Sequence, residues 1–228
     1  MTIFTGEIEE NGFVTIDRYL SLDSIESLIA DITDLNITPG RAGIRNLLEL
    51  APSIRVLARS QEIRSLIEPI LGDTTRVVRG IFFDKQPSAN WKVPWHQDRT
   101  IAIKNRLDVP SYHSWSVKAG ILHVQPPTAI LERMLTVRIH LDKTDESNGA
   151  LKVIPGSHCH GKLTDAEIDR WKQTSPGITC NCDPGGILLM RPLLLHASST
   201  AIVPSHRRVI HLEYTSCELP SGLEWYSY

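Results

Sequence analysis

Short alternating or apolar segments dominate the chain from residue 76 onward and restrict what it can fold into. The segment LTVRIHLD, residues 135–142, alternates apolar residues such as Val137 and Ile139 with polar ones, which is the period of a β-strand. Further strand-like segments are TRVVRGIFFDK, VPWHQDRTIAI, NGALKVIPGSH, GGILLMRPLLLH and RRVIHLEYTS. Short strands separated by Gly- and Pro-containing turns predict a jelly-roll or cupin-like core, a double-stranded β-helix of about eight strands.

Helical periodicity dominates the chain before residue 76. GFVTIDRYL is typical of a short strand, but SLDSIESLIADITDL repeats its apolar residues at helical spacing behind Ser21, a favourable N-cap. SIRVLARSQEIRSLIEPILG predicts one or two further helices that end near Gly72. We therefore expect an α+β protein in which N-terminal helices flank the β core, with residues 1–228 in one domain.

Charge and hydropathy disfavour several classes of partner. The formal net charge of -2 over 228 residues gives no reason to expect nucleic acid or an anionic membrane. No apolar run approaches the ~20 residues of a membrane helix. The N-terminal MTIFTGEIEENG has neither a basic flank nor a long apolar core, so we expect no signal peptide and a cytoplasmic location.

The four cysteines do not have the spacing of a structural zinc site. Cys180 and Cys182 form a C-x-C pair, and Cys159 and Cys217 have no partner at zinc-ribbon spacing. We interpret all four as reduced, structural thiols. A metal cluster of Cys159 and Cys180 with the neighbouring histidines is a less favoured alternative.

The segment WKVPWHQDRTIAI carries a candidate pair of metal ligands. On a β-strand, residues i and i+2 point to the same face, so His96 and Asp98 would present an imidazole and a carboxylate to a common point. A non-haem iron(II) site of the facial-triad type needs two histidines and one carboxylate. A third ligand must therefore come from a distant strand.

His196 is the best candidate for this third ligand among nine histidines. It ends the apolar run ILLMRPLLLH, where a polar imidazole would lie at the mouth of a buried strand. His123 and His140 are competitors because they also lie on strand-like segments.

Arg207 opens the return strand RRVIHLEY, eleven residues after His196. Its guanidinium could hold a carboxylate through two parallel hydrogen bonds, and Ser198 could donate to the same carboxylate. Alternation predicts that Arg207 faces the cavity with His211, whereas Arg208 faces away.

The order of these motifs resembles a known family. The chain has His96-x-Asp98, then NGALKVIPGSH, then HASS at 196–199 and then Arg207, and it begins with EENGFVTIDRYLS. It resembles the phytanoyl-CoA dioxygenase family of iron(II)/2-oxoglutarate oxygenases over roughly residues 8–20 and 77–215.

The resemblance implies a role for each of these residues. It implies that His96, Asp98 and His196 bind iron(II), that Arg207 binds the far carboxylate of 2-oxoglutarate, and that Ser198 assists it. Many relatives carry a Trp on the strand before the NG turn, where this chain has LTVRIHLD. Thr136 is our predicted contact to 2-oxoglutarate there, with Arg138 as the alternative.

The implied reaction consumes O2 and 2-oxoglutarate and releases succinate and CO2 while a C–H bond of a small-molecule substrate is hydroxylated. Asp98 favours hydroxylation, because related halogenases carry a small residue at this position. Arg45, Arg106, Lys118 and Arg138 could favour an acidic substrate.

Two other classes of function remain open from the residues alone. One is a zinc-dependent hydrolase or isomerase in which the same three ligands activate water. The other is a cupin-like binding protein with an inactive site.

Two connecting segments of the chain also have characteristic sequences. Asn148-Gly149 suits a type I′ turn between two strands. Residues 99–130 form the longest irregular stretch, which we expect to shape the substrate entrance and to close over the bound substrate.

Overall fold

The structure, a computed structural model, describes residues 3–35 and 43–226. Its helices are α1 (Ile3–Glu10), α2 (Leu22–Asp34), α3 (Leu47–Leu50), α4 (Pro52–Ala58), α5 (Gln61–Leu71), α6 (Thr128–Glu132) and α7 (Asp165–Thr174). Its strands are β1 (Phe13–Ile16), β2 (Gly43–Ile44), β3 (Arg76–Lys85), β4 (Val93–His96), β5 (Ile101–Ile103), β6 (His113–Lys118), β7 (Ile121–Gln125), β8 (Met134–His140), β9 (Leu151–Ile154), β10 (Ile178–Thr179), β11 (Ile187–Met190), β12 (Leu195–Ser198) and β13 (Arg207–Thr215). Two 3-10 helices cover Glu146–Asn148 and Ser157–His160.

Two antiparallel sheets face each other at the centre of the fold. The larger has six strands in the order β1-β11-β8-β13-β3-β2, and the smaller has four in the order β10-β9-β12-β4. Apolar side chains pack between them, with Leu188 and Met190 of β11 against Leu151 and Val153 of β9. The predicted double-sheet core is confirmed.

The N-terminal helices cover the outer face of the six-stranded sheet. Ser21 caps α2 as predicted, because its side chain accepts a backbone hydrogen bond from the first turn, and α5 ends before Gly72. Val137 and Ile139 of β8 pack against these helices, which leaves the intervening Arg138 on the inner face. No helix in the described ranges has the length and apolar character needed to cross a bilayer.

The prediction that residues 99–130 are irregular is wrong. They contain α6 and a three-stranded antiparallel sheet in the order β5-β7-β6. Ile101, Ile103 and Val124 of this sheet are fully buried. The strands are short and are separated by Pro and charged residues, so no window of the sequence shows a sustained period.

The prediction of a type I′ hairpin turn at Asn148-Gly149 is also wrong. Asn148 closes a 3-10 turn in which its side chain accepts from the backbone N–H of Asp145 and donates to the carbonyl of Lys143. Gly149 ends this turn with φ +77°. The flanking strands β8 and β9 belong to different sheets, so the segment connects the two sheets.

The apolar run ILLMRPLLLH is divided between the two sheets. β11 ends at Met190 in the larger sheet, and β12 begins at Leu195 in the smaller one. Pro192 interrupts the run because it has no N–H for a ladder bond. The crossing places His196 on the sheet opposite Arg138.

Candidate metal and cosubstrate site

A cavity of about 580 Å³ lies between the two sheets. The larger sheet contributes Arg138 of β8 and Arg207 of β13, and the smaller sheet contributes His96 of β4 and His196 of β12. This volume is within the usual range of small-molecule sites. Charged side chains line its interior, and their burial costs free energy unless a ligand or metal compensates the charges.

Three potential metal ligands converge in this cavity. His96 and His196 lie directly opposite each other on β4 and β12, and their ring centroids are 4.2 Å apart. Asp98 Oδ1 is 3.8 Å from His96 Nε2, and Asp98 Oδ2 is 3.7 Å from His196 Nε2. One ligand atom from each residue lies within 4.8 Å of the others, and within the described ranges this is the group of His, Cys, Asp and Glu side chains that could share a metal ion.

Backbone carbonyls orient both imidazoles for coordination. His96 Nδ1 is 2.9 Å from the carbonyl of Pro94, and His196 Nδ1 is 2.8 Å from the carbonyl of Leu194. A carbonyl can only accept, so each Nδ1 carries the proton and each Nε2 keeps a lone pair. Both lone pairs belong to the nitrogens that face Asp98, which is the arrangement expected for metal-binding histidines.

Asp98 does not lie on a strand, contrary to our expectation. β4 ends at His96, and the backbone N–H of Asp98 donates to the carbonyl of Pro192 at 2.9 Å. Between them, the Gln97 side chain donates to the carbonyls of Gly161 and Leu193 and accepts from a backbone N–H. These hydrogen bonds replace the ladder bonds of a strand and fix the segment after β4. The side chains of His96 and Asp98 therefore still converge.

The protonation states also suit a metal. Burial lowers the pKa of His196 to about 4, so this imidazole is neutral near pH 7. Burial opposes ionisation of Asp98, but the charges of His196, His211 and His96 outweigh it and lower the pKa of Asp98 to about 2. A carboxylate beside a neutral imidazole is the form that coordinates a divalent cation.

Arg207 is a buried cation on the cavity wall. It is 3% exposed, it lines the cavity, and its Nε and Nη1 have no hydrogen-bond partner among the described residues. Burial and the nearby charge of Arg138 lower the pKa of Arg207 to about 10. Its neighbour Arg208 faces away and makes a bidentate pair with Asp142, with Nε–Oδ2 at 2.9 Å and Nη2–Oδ1 at 2.7 Å.

Ser198 lines the cavity, but its hydroxyl is already engaged. It donates to the carbonyl of Gly149 at 2.8 Å and accepts from Lys85 Nζ at 2.8 Å. Lys85 also donates to the carbonyl of Ser199 and lies directly opposite Arg207 in the β3/β13 pairing. In this arrangement Ser198 has no proton left for a carboxylate, and Lys85 places a second positive charge beside Arg207.

Of the two residues considered on β8, Arg138 lines the cavity, whereas Thr136 is buried and is not among the lining residues. Arg138 Nη1 donates to His211 Nδ1 at 2.9 Å, so the proton of His211 lies on Nε2, 3.4 Å from Glu213 Oε1. Glu213 in turn accepts from Arg79 Nη1 at 3.0 Å. This chain of hydrogen bonds holds the side chain of Arg138 in position.

The competing histidines lie outside the metal cluster. His140 Nδ1 bonds the hydroxyl of Thr144, and His123 Nδ1 bonds the carbonyl of Ile121, both at 2.9 Å. Neither belongs to the group that could share a metal. The expected cysteine thiols are free, with Cys159 exposed and the other three buried.

Sequence reasoning placed His211 on the cavity face with Arg207 but missed Lys85 and Glu213 as parts of the site. Lys85 carried a weak signal, since it ends the largely apolar strand β3, as His196 ends an apolar run of the sequence. Glu213 shares a strand face with Arg207 and His211, so alternation along RRVIHLEY could have indicated it.

The residues fit iron(II) together with 2-oxoglutarate. Two histidines and one carboxylate leave coordination positions open, which is the ligand set of non-haem iron(II) oxygenases. The unpaired guanidinium of Arg207 suits the free carboxylate of the keto-acid. Fold and site thus define the class of iron(II)/2-oxoglutarate-dependent oxygenases.

Comparison with known proteins gives the family. The family model for phytanoyl-CoA dioxygenase matches residues 8–209, and the chain belongs to this family. The peroxisomal phytanoyl-CoA dioxygenase of Mus musculus is 23% identical over 92% of this chain and 67% of its own length. A probable alpha-ketoglutarate-dependent hypophosphite dioxygenase of Stutzerimonas stutzeri is 25% identical over 70% of this chain and 54% of its own length.

Solved structures share the fold. The non-heme alpha ketoglutarate dependent carbocyclase SnoK from nogalamycin biosynthesis superimposes with a TM-score of 0.72 at 16% identity, covering 94% of this chain and 83% of that one. EctD from S. alaskensis, solved with 2-oxoglutarate and 5-hydroxyectoine, has a TM-score of 0.72 at 17% identity, covering 94% and 76%. The predicted fold class and the predicted family are confirmed.

Proposed function

We propose that the protein hydroxylates an unactivated C–H bond of a small molecule and consumes O2 and 2-oxoglutarate, with release of succinate and CO2. The buried, unpaired Arg207 in the same cavity as His96, Asp98 and His196 carries this proposal. Metal ligands alone would also suit a zinc hydrolase, in which Arg207 would have no role. The cation therefore favours an oxygenase that must hold a dicarboxylate.

In this proposal His96, Asp98 and His196 hold iron(II) through Nε2, a carboxylate oxygen and Nε2. When bound, iron(II) with 2-oxoglutarate supplies the oxidative decarboxylation that activates O2. Asp98 would take a coordination position that a halide would need, so its presence supports hydroxylation. Pro94 and Leu194 keep both imidazoles in the required tautomer through their carbonyls.

Arg207 binds the far carboxylate of 2-oxoglutarate through its free N–H groups. Lys85 adds positive charge from the neighbouring strand, and its bond to Ser198 keeps that side chain in place. We propose that Arg138, rather than Thr136, approaches the cosubstrate from β8, because Arg138 lines the cavity.

Aromatic side chains on the cavity wall would restrict water. Trp91, Trp95 and Phe83 all line the cavity. Their bulk limits the space around the metal that solvent can occupy, and exclusion of water protects reactive species from side reactions.

The test is release of succinate from 2-oxoglutarate by the purified protein with iron(II) and O2, in the presence of a metabolite mixture. Wild type should form succinate, whereas His196→Ala and Asp98→Ala should form none and should bind iron(II) more weakly by calorimetry. His113→Ala, an exposed histidine outside the cavity, is the matched control and should behave as wild type.

The same experiment separates the alternatives. Metal-dependent turnover without O2 or 2-oxoglutarate would favour a zinc-dependent hydrolase or isomerase. Tight iron binding with no loss of 2-oxoglutarate under any condition would favour an inactive binding protein.

Two further expectations stay proposals. We propose that residues 1–228 act as a single oxygenase domain, which the shared cavity between the two sheets supports. We also propose a cytoplasmic location, which the four free thiols support.

A further inference from the structure

A second group of cations lines the cavity far from Arg207. Arg45 follows β2, Arg79 lies on β3, and Lys118 ends β6. Arg79 is six residues from Lys85 along β3, which corresponds to about 20 Å, and Lys85 is the residue that pairs with Arg207. The two cationic groups therefore lie at opposite ends of one cavity.

The partners of these three side chains are incomplete. Arg79 Nη1 donates to Glu213 at 3.0 Å, but its buried Nε has no partner in the described part of the chain. Arg45 and Lys118 have neither a hydrogen bond nor an ion pair with any described residue, and both are only partly exposed. Side chains that carry unpaired charge into a cavity indicate a missing anion.

The charge balance of the cavity supports the same reading. Six cationic side chains and three carboxylates line it. A bound metal ion would balance the charge of Asp98, Arg79 pairs with Glu213, and a bound 2-oxoglutarate would be held at the metal and at Arg207. Even if Asp165 is assigned to Arg99, neither Arg45 nor Lys118 forms an ion pair with a carboxylate among the described residues, and Glu213 and Asp98 act on them only from beyond ion-pair distance.

These cations also repel one another. Burial and the charge of Arg79 lower the pKa of Arg45. Burial lowers the pKa of Lys118, and the positive charges of Arg79 and Arg45 lower it further. A bound anion would relieve both the loss of hydration and the mutual repulsion.

We propose that Arg45, Lys118 and the free Nε of Arg79 form an anion-binding subsite for the primary substrate, which recognises a carboxylate, phosphonate or phosphate group. The inference rests on the proposed function, because it assigns the Arg207 end of the cavity to 2-oxoglutarate. The subsite holds the anionic end of the substrate and presents a neighbouring C–H bond to the metal. Substrates without an anionic group should bind poorly.

The experiment titrates two small anions, propionate and methylphosphonate, into anaerobic iron(II) protein saturated with 2-oxoglutarate. Binding is followed by fluorescence of Trp91 and Trp95 in the cavity wall and confirmed by calorimetry. Propionamide and dimethyl methylphosphonate are the uncharged counterparts. The comparison of the two anions identifies whether the subsite prefers a carboxylate or a phosphorus oxyanion.

The variants are Arg45→Gln and Lys118→Met, with the exposed residues Arg106→Gln and Lys92→Met as matched controls. We expect at least one anion to bind the wild type, its uncharged counterpart not to bind, and each cavity variant to weaken the anion at least tenfold, since a charged hydrogen bond is lost. The controls should bind as wild type does.

Unchanged anion affinity in both cavity variants, an equal loss in the controls, or no anion binding to the wild type would overturn the subsite. A parallel titration of 2-oxoglutarate reports on fold and on the proposed function separately. If the wild type fails to bind 2-oxoglutarate, the proposed function fails first. If 2-oxoglutarate binds and the anion results are negative, only the subsite fails.

Discussion

Replacement of Arg207 by Met should remove the main anchor of 2-oxoglutarate without harming the fold. Arg207 offers two buried N–H groups, Nε and Nη1, that no described residue accepts. A hydrogen bond to a charged group contributes about 1.5–3 kcal/mol, so two of them give at least about 3 kcal/mol. Because 1.4 kcal/mol is a factor of ten, the Kd of 2-oxoglutarate should rise about 100-fold.

The same substitution should leave the ligand-free protein as stable as the wild type or more stable. A buried cation without a partner costs free energy, and Met removes that charge at similar length. Arg207→Lys should recover part of the 2-oxoglutarate affinity but not all of it, because an ammonium lacks the planar fork.

The assay is calorimetric titration of 2-oxoglutarate into anaerobic iron(II) protein, together with the Tm of the ligand-free protein. Arg208→Ala is the matched control. It loses the bidentate pair with Asp142, so its Tm should fall while its 2-oxoglutarate affinity stays unchanged. The reasoning is refuted if Arg207→Met binds 2-oxoglutarate normally, or if Arg208→Ala is the variant that loses affinity.

Three further predictions concern neighbouring parts of the structure. Burial and the charge of Arg207 lower the pKa of Lys85 to about 8, so this residue loses its charge as the pH rises past 8. The affinity for 2-oxoglutarate should therefore decline above pH 8 in the wild type but not in Lys85→Met. Gly149→Ala should lower the free energy of unfolding in urea by more than about 1–2 kcal/mol, because φ is +77° and a Cβ would lie 2.5 Å from the carbonyl oxygen of Ser199. Gly120 has φ +81° but open space around it, so Gly120→Ala should show only the cost of the backbone conformation. Limited trypsin digestion of residues 99–130 should cut first after the exposed Arg106, and substrate with 2-oxoglutarate should slow that cut if the segment closes. Early cleavage after Lys118, at the end of β6, would contradict its pairing with β7 in the sheet.

Much of the site follows from local rules that a sequence displays. The alternation of LTVRIHLD separates Val137, which packs on the helices, from Arg138, which lines the cavity. The same rule separates Arg207 from Arg208. Residue chemistry limits the metal ligands to a few His and Asp residues in a characteristic order.

Other features escaped the same rules because they depend on contacts between distant segments. The hydroxyl of Ser198 donates to the carbonyl of Gly149, and Lys85 of strand β3 donates to the same hydroxyl. Residues 99–130 form a sheet through pairing rather than through periodicity, and the sequence pattern did not indicate it. The choice between Thr136 and Arg138 depended on how far each side chain lies from the cavity.

The sequence by itself determined the N-terminal helices, the main strands of the two central sheets, the faces of those strands and the residue types that could bind a metal and a dicarboxylate, because these depend on near neighbours along the chain. Only the tertiary structure decided that the run before His196 crosses from one sheet to the other and that His196 pairs opposite His96. It also decided that Arg207 lies buried, with no hydrogen-bond partner for Nε or Nη1 among the described residues. These outcomes depend on strand register and on packing between sheets, and no local period of the sequence encodes which distant strand will be the neighbour.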